Sequence, residues 1–330
     1  MIKNILGLLL GVMVLQSAQA QKNTIQKDTL LYYVKNSGEV TLNKDSADYF
    51  MFIMPLDASS GKKLYPIDEF YRNGGRKLIT ASATNVFERL KYDGPFMSYY
   101  PNGKRNTSAT FVDGVINGDL TKYYPNGKLY CIENHKAKNA LLVECRDSLG
   151  KVLAENGNGH WLEFDDQFKK IISEGNVSDG LKDGEWHGNT DDTGRYTCLY
   201  NKGILISGTG YNKSNTAYPF NMAETAPAYK GGILDFKRFV QSKMVFPEKI
   251  KNHSTKGTLY LYDITFKFNI KQDGSLVDLV FIKPPAAIMR DSVINAIKSS
   301  PKWKPGYMYG LPAEKEVTVR MTLVDSNNPQ

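Results

Sequence analysis

The most regular alternation of apolar and polar positions lies near the C-terminus of this 330-residue chain. Aromatic or branched apolar residues fill every second position from 260 to 270, a period that predicts a strand with one buried face. Asp273-Gly274 predicts a tight turn into a second strand over residues 276–282. Apolar residues at 289, 293, 296 and 297 recur at helical spacing, and Pro301 ends this helix by removing a backbone donor. Alternation returns at Val317, Val319, Met321 and Leu323 and predicts a final strand.

An earlier amphipathic helix is predicted around Phe236, Phe239 and Val240. The order over residues 228–330 is then helix, strand, strand, helix, strand, which predicts a small α+β domain with helices on one face of an antiparallel three-stranded sheet. Residues 207–227, just before it, are rich in Gly, Asn, Ser, Thr and Pro, a composition that favours a linker.

Residues 21–206 carry a repeated short pattern. Residues 99–104 and 123–128 both read Tyr-Tyr-Pro-Asn-Gly-Lys at an offset of 24, and weaker copies lie at 32–38, 71–74, 147–151 and 191–195. Asn-Gly supplies the positive φ angles of a hairpin turn, and one hairpin cannot bury its aromatic face alone. The region is therefore expected to be mainly β, with stacked hairpins and an irregular cap at its N-terminal end.

The Tyr-Tyr-Pro-Asn-Gly-Lys pattern resembles bacterial MORN-type repeats. Neighbouring hairpins are expected to cover Tyr99, Tyr123, Phe164 and Trp186. Aromatic residues at repeat positions favour a stacking core, while an exposed strip that binds glycan or peptide is the alternative. The repeats are expected to act as a spacer or scaffold.

A second resemblance covers residues 226–324. In chain order the motifs are Pro-Ala-Tyr-Lys-Gly-Gly at 227–232, Phe-Pro-Glu at 246–248, Gly-Thr at 257–258, the turn at 273–275, and an element made of Pro301, Trp303, Pro305 and Gly306. Together they resemble the C-terminal domain of TonB, the protein that couples inner-membrane energy to outer-membrane receptors, in its Bacteroidetes-type version. The resemblance implies the same α+β fold.

In that family an extended receptor segment pairs with the region of the last strand. The resemblance therefore implies a partner-binding strand made of Lys315, Glu316, Val317, Thr318, Val319, Arg320, Met321 and Thr322. The sequence adds support, because a last strand without a sequence partner on one side presents free N–H and C=O groups. Trp303 is either a core anchor or a recognition residue, and packing is the simpler interpretation of a Trp held between prolines.

The first 20 residues predict export. Lys3, an apolar run over residues 5–15 and Ala18-Gln19-Ala20 describe a cleavable secretory signal peptide over residues 1–20. The run is too short to cross a bilayer, which takes about 20 apolar residues. A periplasmic location is therefore expected. Without a membrane anchor, the chain is not expected to transmit force from an inner-membrane motor by itself.

Positive charge is concentrated at the C-terminal end. Residues 21–227 hold 25 Lys or Arg and 25 Asp or Glu, whereas residues 228–330 hold 16 and 9, within a net charge of +8. This balance favours acidic partners such as protein, peptidoglycan or lipopolysaccharide, although a soluble surface explains it as well. Nucleic acid is not expected as a partner of an exported chain without a recognised binding motif.

No motif in the sequence predicts catalysis, a cofactor or a metal site. The histidines at 135, 160, 187 and 253 lack metal-ligand spacing, and neither a nucleotide-binding loop nor a hydrolase nucleophile motif is present. The chain is therefore not expected to be an enzyme. Cys131 and Cys145 flank an expected hairpin and predict a cross-strand disulfide, with three buried reduced thiols, Cys198 included, as the alternative.

The sequence supports two functions. The first is an interaction module whose C-terminal sheet captures an extended segment of an outer-membrane TonB-dependent receptor or another envelope protein. The second is an envelope scaffold whose basic module holds peptidoglycan or another acidic component. A homodimer is compatible with both. Receptor capture needs the strand at 315–324, whereas adhesion to an acidic polymer needs exposed lysines and weakens steeply with salt.

Overall fold

The computed structural model describes residues 28–57, 61–136, 140–190, 194–246 and 259–326. The predicted signal peptide, residues 1–20, lies outside them, as do positions 247–248 and 257–258 of the resemblance to TonB. The chain forms two compact units, residues 1–103 with 111–115 and residues 104–110 with 116–330. The C-terminal residues therefore share the second unit with the later repeats.

Antiparallel hairpins build most of the structure. The strands are β1 (Leu30–Val34), β2 (Val40–Thr41), β3 (Tyr49–Ile53), β4 (Tyr65–Tyr71), β5 (Arg76–Ser82), β6 (Gly94–Tyr99), β7 (Arg105–Val112), β8 (Val115–Ile116), β9 (Asp119–Tyr123), β10 (Leu129–Asn134), β11 (Leu141–Arg146), β12 (Val152–Glu155), β13 (Asn158–Phe164), β14 (Ile171–Ser178), β15 (Leu181–Thr190), β16 (Gly194–Asn201), β17 (Ile204–Asn212), β18 (Ala217–Phe220), β19 (Glu224–Thr225), β20 (Leu259–Ile270), β21 (Leu276–Lys283), β22 (Gly306–Met308), β23 (Leu311–Ala313) and β24 (Lys315–Ser326). The α-helices of the described residues are α1 (Ile233–Lys243) and α2 (Arg290–Lys298).

In the first unit, the hairpins form a sheet with its own core. Strand β1 pairs with β3, and β3 to β6 pair in succession, all antiparallel. Alternation along the strands buries one row of side chains, made of Val34, Met51, Ile53, Ile67 and Leu78. Phe87 and Leu90, from the connection between β5 and β6, pack against this row. The part of the chain expected to be an irregular cap is thus a regular sheet.

In the second unit, strands β9 to β18 pair each with the next, as the stacked-hairpin prediction requires. Trp186 is fully buried and Phe164 packs on the same core. The tyrosine pair departs from the prediction, because Tyr124 is buried while Tyr123 is only partly covered. Neighbouring strand residues face opposite sides, so only one tyrosine of the pair can point into the core.

Hydrogen bonds between turns 21 to 22 residues apart explain the repeated motif. The Tyr124 hydroxyl donates to the Arg146 carbonyl at 2.7 Å, and the Asn126 amide donates to the Ser148 carbonyl at 2.8 Å. The Lys128 ammonium donates to the Leu149 carbonyl at 2.6 Å. The second Tyr, the Asn and the Lys of one motif thus satisfy carbonyl groups in the next turn, which would otherwise need water.

Three glycines of the repeats lie directly across from aromatic rings. Strand register pairs Gly175 with Trp186, Gly188 with Tyr196, and Gly208 with Phe220. In each pair a Cβ on the glycine would collide with the ring opposite. The glycines therefore let the rings lie flat on the sheet and close the core.

In the C-terminal part, α1 and α2 share a core with the sheet β21-β20-β24. Inward side chains of β20 (Ile264, Phe266, Phe268, Ile270) meet Phe236 and Val240 of α1 and Val293 and Ile297 of α2. Helix α1 starts after Gly231 and Gly232, whose φ angles of 83° and 88° suit glycine. Helix α2 ends three residues before Pro301. A small sheet, β19-β22-β23, was not predicted.

Residues 207–227, expected to be a linker, instead contain the end of β17, all of β18 and all of β19. The glycines of this segment favoured a linker in the sequence. In the structure each of them instead leaves room for a group that lies close to its backbone. Gly210 lies against the Tyr309 carbonyl at the tip of the β22–β23 hairpin, and the Tyr309 ring stacks on Tyr196 with centroids 3.6 Å apart. Leu311 of the same hairpin is buried. The C-terminal part is therefore packed on the last repeat hairpins.

Candidate functional site

Strand β24 forms one edge of the C-terminal sheet. It pairs antiparallel with β20 without a register shift, from Lys315 opposite Ile270 to Ser326 opposite Leu259. The sheet order β21-β20-β24 leaves its other side without a strand neighbour among the described residues. Peptide groups on that side can accept another strand.

The direction of each peptide group follows from a contact of helix α1. The Gln241 side-chain amide donates to the Val324 carbonyl at 2.8 Å and accepts from the Val324 N–H at 3.1 Å. Both polar groups of Val324 therefore point away from β20. In an antiparallel strand the direction repeats at every second residue, so the groups of Thr318, Arg320 and Thr322 also point to the open side.

The eight predicted partner-binding residues thus fall into two sets. In the first set, Val319 and Met321 are buried and Val317 packs on the core. The alternation directs the N–H groups of these three residues toward β20, and that of Lys315 as well. Thr318, Arg320 and Thr322 are exposed and, with Glu316, form the open side. Only this second set suits strand addition. The sequence alone did not separate the sets, because the direction of an N–H depends on which neighbour a strand has.

Two charged residues of this strand already have partners. Lys315 forms an ion pair with Glu224 of β19 at 2.5 Å, and Glu316 forms one with Lys267 of β20 at 2.9 Å. The hydroxyl of Thr322 donates to Asp263 at 2.7 Å, and this bond and the nearby Lys283 lower the pKa of that carboxyl group. Lys315 is thus less suited to attract an acidic partner than a lysine without an ion pair would be.

A groove of about 510 Å³ lies beside the open edge. Helix α1 and strand β24 line it together, with Lys237, Arg238, Gln241, Ser242, Arg320, Met321, Thr322 and Val324. Three of these residues are cationic and none is acidic. Sequence reasoning missed the contribution of α1, because the helix and the strand are far apart in the chain.

Trp303 is a core residue. The residue is 5% exposed, and its ring lies 4.9 Å from Phe236, 5.4 Å from Phe268 and 5.3 Å from Tyr229, measured between centroids. Its indole N–H donates to the Ser300 hydroxyl at 3.1 Å. The packing interpretation agrees with this position.

The other residues of the Pro301–Gly306 element fix the position of the segment that leads into β22. The Trp303 N–H donates to the Gly274 carbonyl at 2.9 Å, which joins the element to the turn between β20 and β21. Lys302 forms an ion pair with Asp273 at 2.8 Å, and the hydrogen bond within this pair holds the pKa of Asp273 well below its usual range. Gly306 is buried, and Pro301 and Pro305 flank the tryptophan without lining the groove.

The cysteines lie in the repeats, away from the edge. Register places Cys131 directly opposite Cys145, as the hairpin prediction requires, although part of the turn, residues 137–139, lies outside the described residues. In the structure all three cysteines are free and buried in one aromatic core, which is the alternative that the sequence left open beside a Cys131–Cys145 disulfide. As small apolar side chains they fill that core without a covalent bond.

We expect three free thiols when the protein, purified without reductant, is unfolded and titrated with a thiol reagent. In the folded protein the same reagent should react slowly, because burial raises the pKa of Cys145 to about 11 and also raises that of Cys131 and Cys198. A count of one thiol after unfolding would contradict the structure and restore the Cys131–Cys145 bridge.

The described part of the chain contains no cluster of three or more His, Cys, Asp or Glu side chains that could hold a metal ion. Within the same residues, no helix is both long and apolar enough to cross a membrane. Comparison with known proteins finds no matching family model and no matching curated protein.

Proposed function

We propose that the C-terminal part is a strand-addition module in the periplasm that captures an extended segment of an outer-membrane receptor or another envelope protein. The observation that carries the proposal is the open edge of β24, where Thr318, Arg320 and Thr322 direct their peptide groups away from β20. Main-chain hydrogen bonds to such an edge supply affinity, and side chains beside it supply specificity.

The resemblance to the C-terminal domain of TonB supports this proposal and gives the class of partner. The residues that carry the resemblance include the buried Trp303, the two glycines before α1 and the long last strand. The hairpin repeats, which resemble MORN repeats, serve as the scaffold that carries the edge. Periplasmic location rests on the predicted signal peptide.

Proline substitutions on the open side test the proposal. Thr318→Pro or Arg320→Pro removes one outward donor and places a ring where a docked strand would lie, and neither N–H is used by β20. We expect immobilised residues 21–330 to capture receptors from outer-membrane extract. The amount captured should fall at least about tenfold in each proline variant.

Thr318→Ala and Arg320→Ala are the matched references, because each removes the same side chain as the proline variant at that position but keeps the backbone donor. Circular dichroism melts of all variants check that the fold is retained. Receptors that bind the proline variants as well as the wild type would exclude this edge. Capture of peptidoglycan instead, abolished by moderate salt and insensitive to proline, would favour the envelope-scaffold function.

A further inference from the structure

The Gln241 amide occupies the end of the open edge in the way that a neighbouring strand would. One side-chain amide satisfies both the carbonyl and the N–H of Val324, at 2.8 and 3.1 Å. A primary amide has the same donor and acceptor as a peptide group, so this pair of bonds reproduces one rung of a sheet. The edge is therefore closed at residue 324, and among the described residues it has no strand neighbour at residues 316, 318, 320 and 322.

We propose that Gln241 sets the register of a docked segment by stopping it at Val324, and that the groove beside Gln241 takes a carboxylate-bearing end of that segment. This inference rests on the proposed strand addition and names the partner more closely. Residues 316–322 span about 20 Å at roughly 3.3 Å per residue, so the paired part of the partner is about seven residues long.

The charges of the groove give the chemistry of the segment's end. Lys237 and Arg238 from α1 and Arg320 from β24 line it, and none of the described residues that line it is acidic. Arg238 forms an ion pair with Asp235 at 2.7 Å, and Arg320 is near enough to Asp263 on the neighbouring strand to help lower the pKa of that carboxyl group. Lys237 on one side of the groove and Arg320 on the other are its two cations that form no ion pair among the described residues, and they supply the main attraction. Met321 and Val324 give the groove an apolar part as well. An end with two acidic side chains suits this lining better than a neutral or basic end.

Synthetic peptides of alternating Val and Thr test the register stop. With five, seven and nine paired residues, the affinity for wild-type residues 21–330 should rise from five to seven and then stay constant. In Gln241→Ala the rise should continue to nine, because Val324 is free to pair. Ser242→Ala, on the same helix and groove but without a bond to Val324, should behave as wild type. A continued rise in the wild type would overturn the stop.

The seven-residue peptide with two Glu, two Gln or two Lys added at either end tests the groove. We expect Glu at one of the two ends to bind about tenfold more tightly than Lys at that end, since exposed attractive charge pairs replace repulsive ones. The preference should disappear in Lys237→Gln/Arg320→Gln and persist in Lys243→Gln, which lies on α1 outside the groove.

The outcomes distinguish a failure of the carboxylate end or of the register stop from a failure of strand addition itself. Equal binding of Glu, Gln and Lys ends, with affinity still lost in Thr318→Pro, would overturn the carboxylate end while leaving strand addition intact. If the peptides without added end residues bind Thr318→Pro as tightly as the wild type, strand addition is refuted, and the register stop with it. The same holds if these peptides do not bind the wild type at all.

Discussion

Trp303→Ala is expected to destabilise the second unit by about 4 kcal/mol. The substitution empties the space between Phe236, Phe268 and Tyr229 and also removes the indole donor to Ser300. Urea unfolding followed by far-UV circular dichroism measures the change. Lys304→Ala, at the neighbouring exposed lysine, should shift the midpoint little and serves as the control.

The same variant decides between the two roles that the sequence left for Trp303. A core anchor loses stability first, and binding falls only as far as the protein unfolds. Unchanged stability together with lost peptide binding would instead make Trp303 a recognition residue and contradict its burial.

Gly175→Val is expected to destabilise the repeats by about 3 kcal/mol or more. Any Cβ at this position collides with the Trp186 ring, which is fully buried and has little room to move. Valine has a high strand propensity, so the loss would come from the collision and not from the backbone. Asn176→Val, at the exposed neighbour in the same strand, is the matched control and should be neutral or slightly stabilising.

A double substitution checks the cause. In Gly175→Val/Trp186→Ala the new side chain can use the space of the removed ring, so the loss should be smaller than the sum of the two single losses. An additive result would mean that Gly175 matters for another reason than its cross-strand ring.

Patterns that depend on neighbours in sequence were predictable. The alternation through Phe266 and Phe268 predicted a half-buried strand, and Asn-Gly at 126–127 predicted a hairpin turn, because burial and turn geometry act over a few residues. The packed position of Trp303 followed in the same way from its proline-flanked setting.

Features that depend on distant parts of the chain were not predictable. The bond of Gln241 to Val324 joins residues 83 positions apart, and it shows which peptide groups of β24 point away from β20. Gly210 lies in a segment with the composition of a linker, yet its lack of a side chain is what allows the Tyr309 carbonyl to lie against it. The free state of Cys131 and Cys145 likewise follows from a shared core and not from their spacing.

The stacking of Tyr309 on Tyr196 has a mechanical consequence. A module on a slack tether would turn freely and absorb tension in the tether before passing it on. Here the β22–β23 hairpin is seated on β17, and the Lys315–Glu224 ion pair holds the first residue of β24 to β19. Tension on a captured segment would therefore pass along β24 into the last repeat hairpins without slack. The edge would also keep a fixed direction, which lowers the orientational entropy lost on capture.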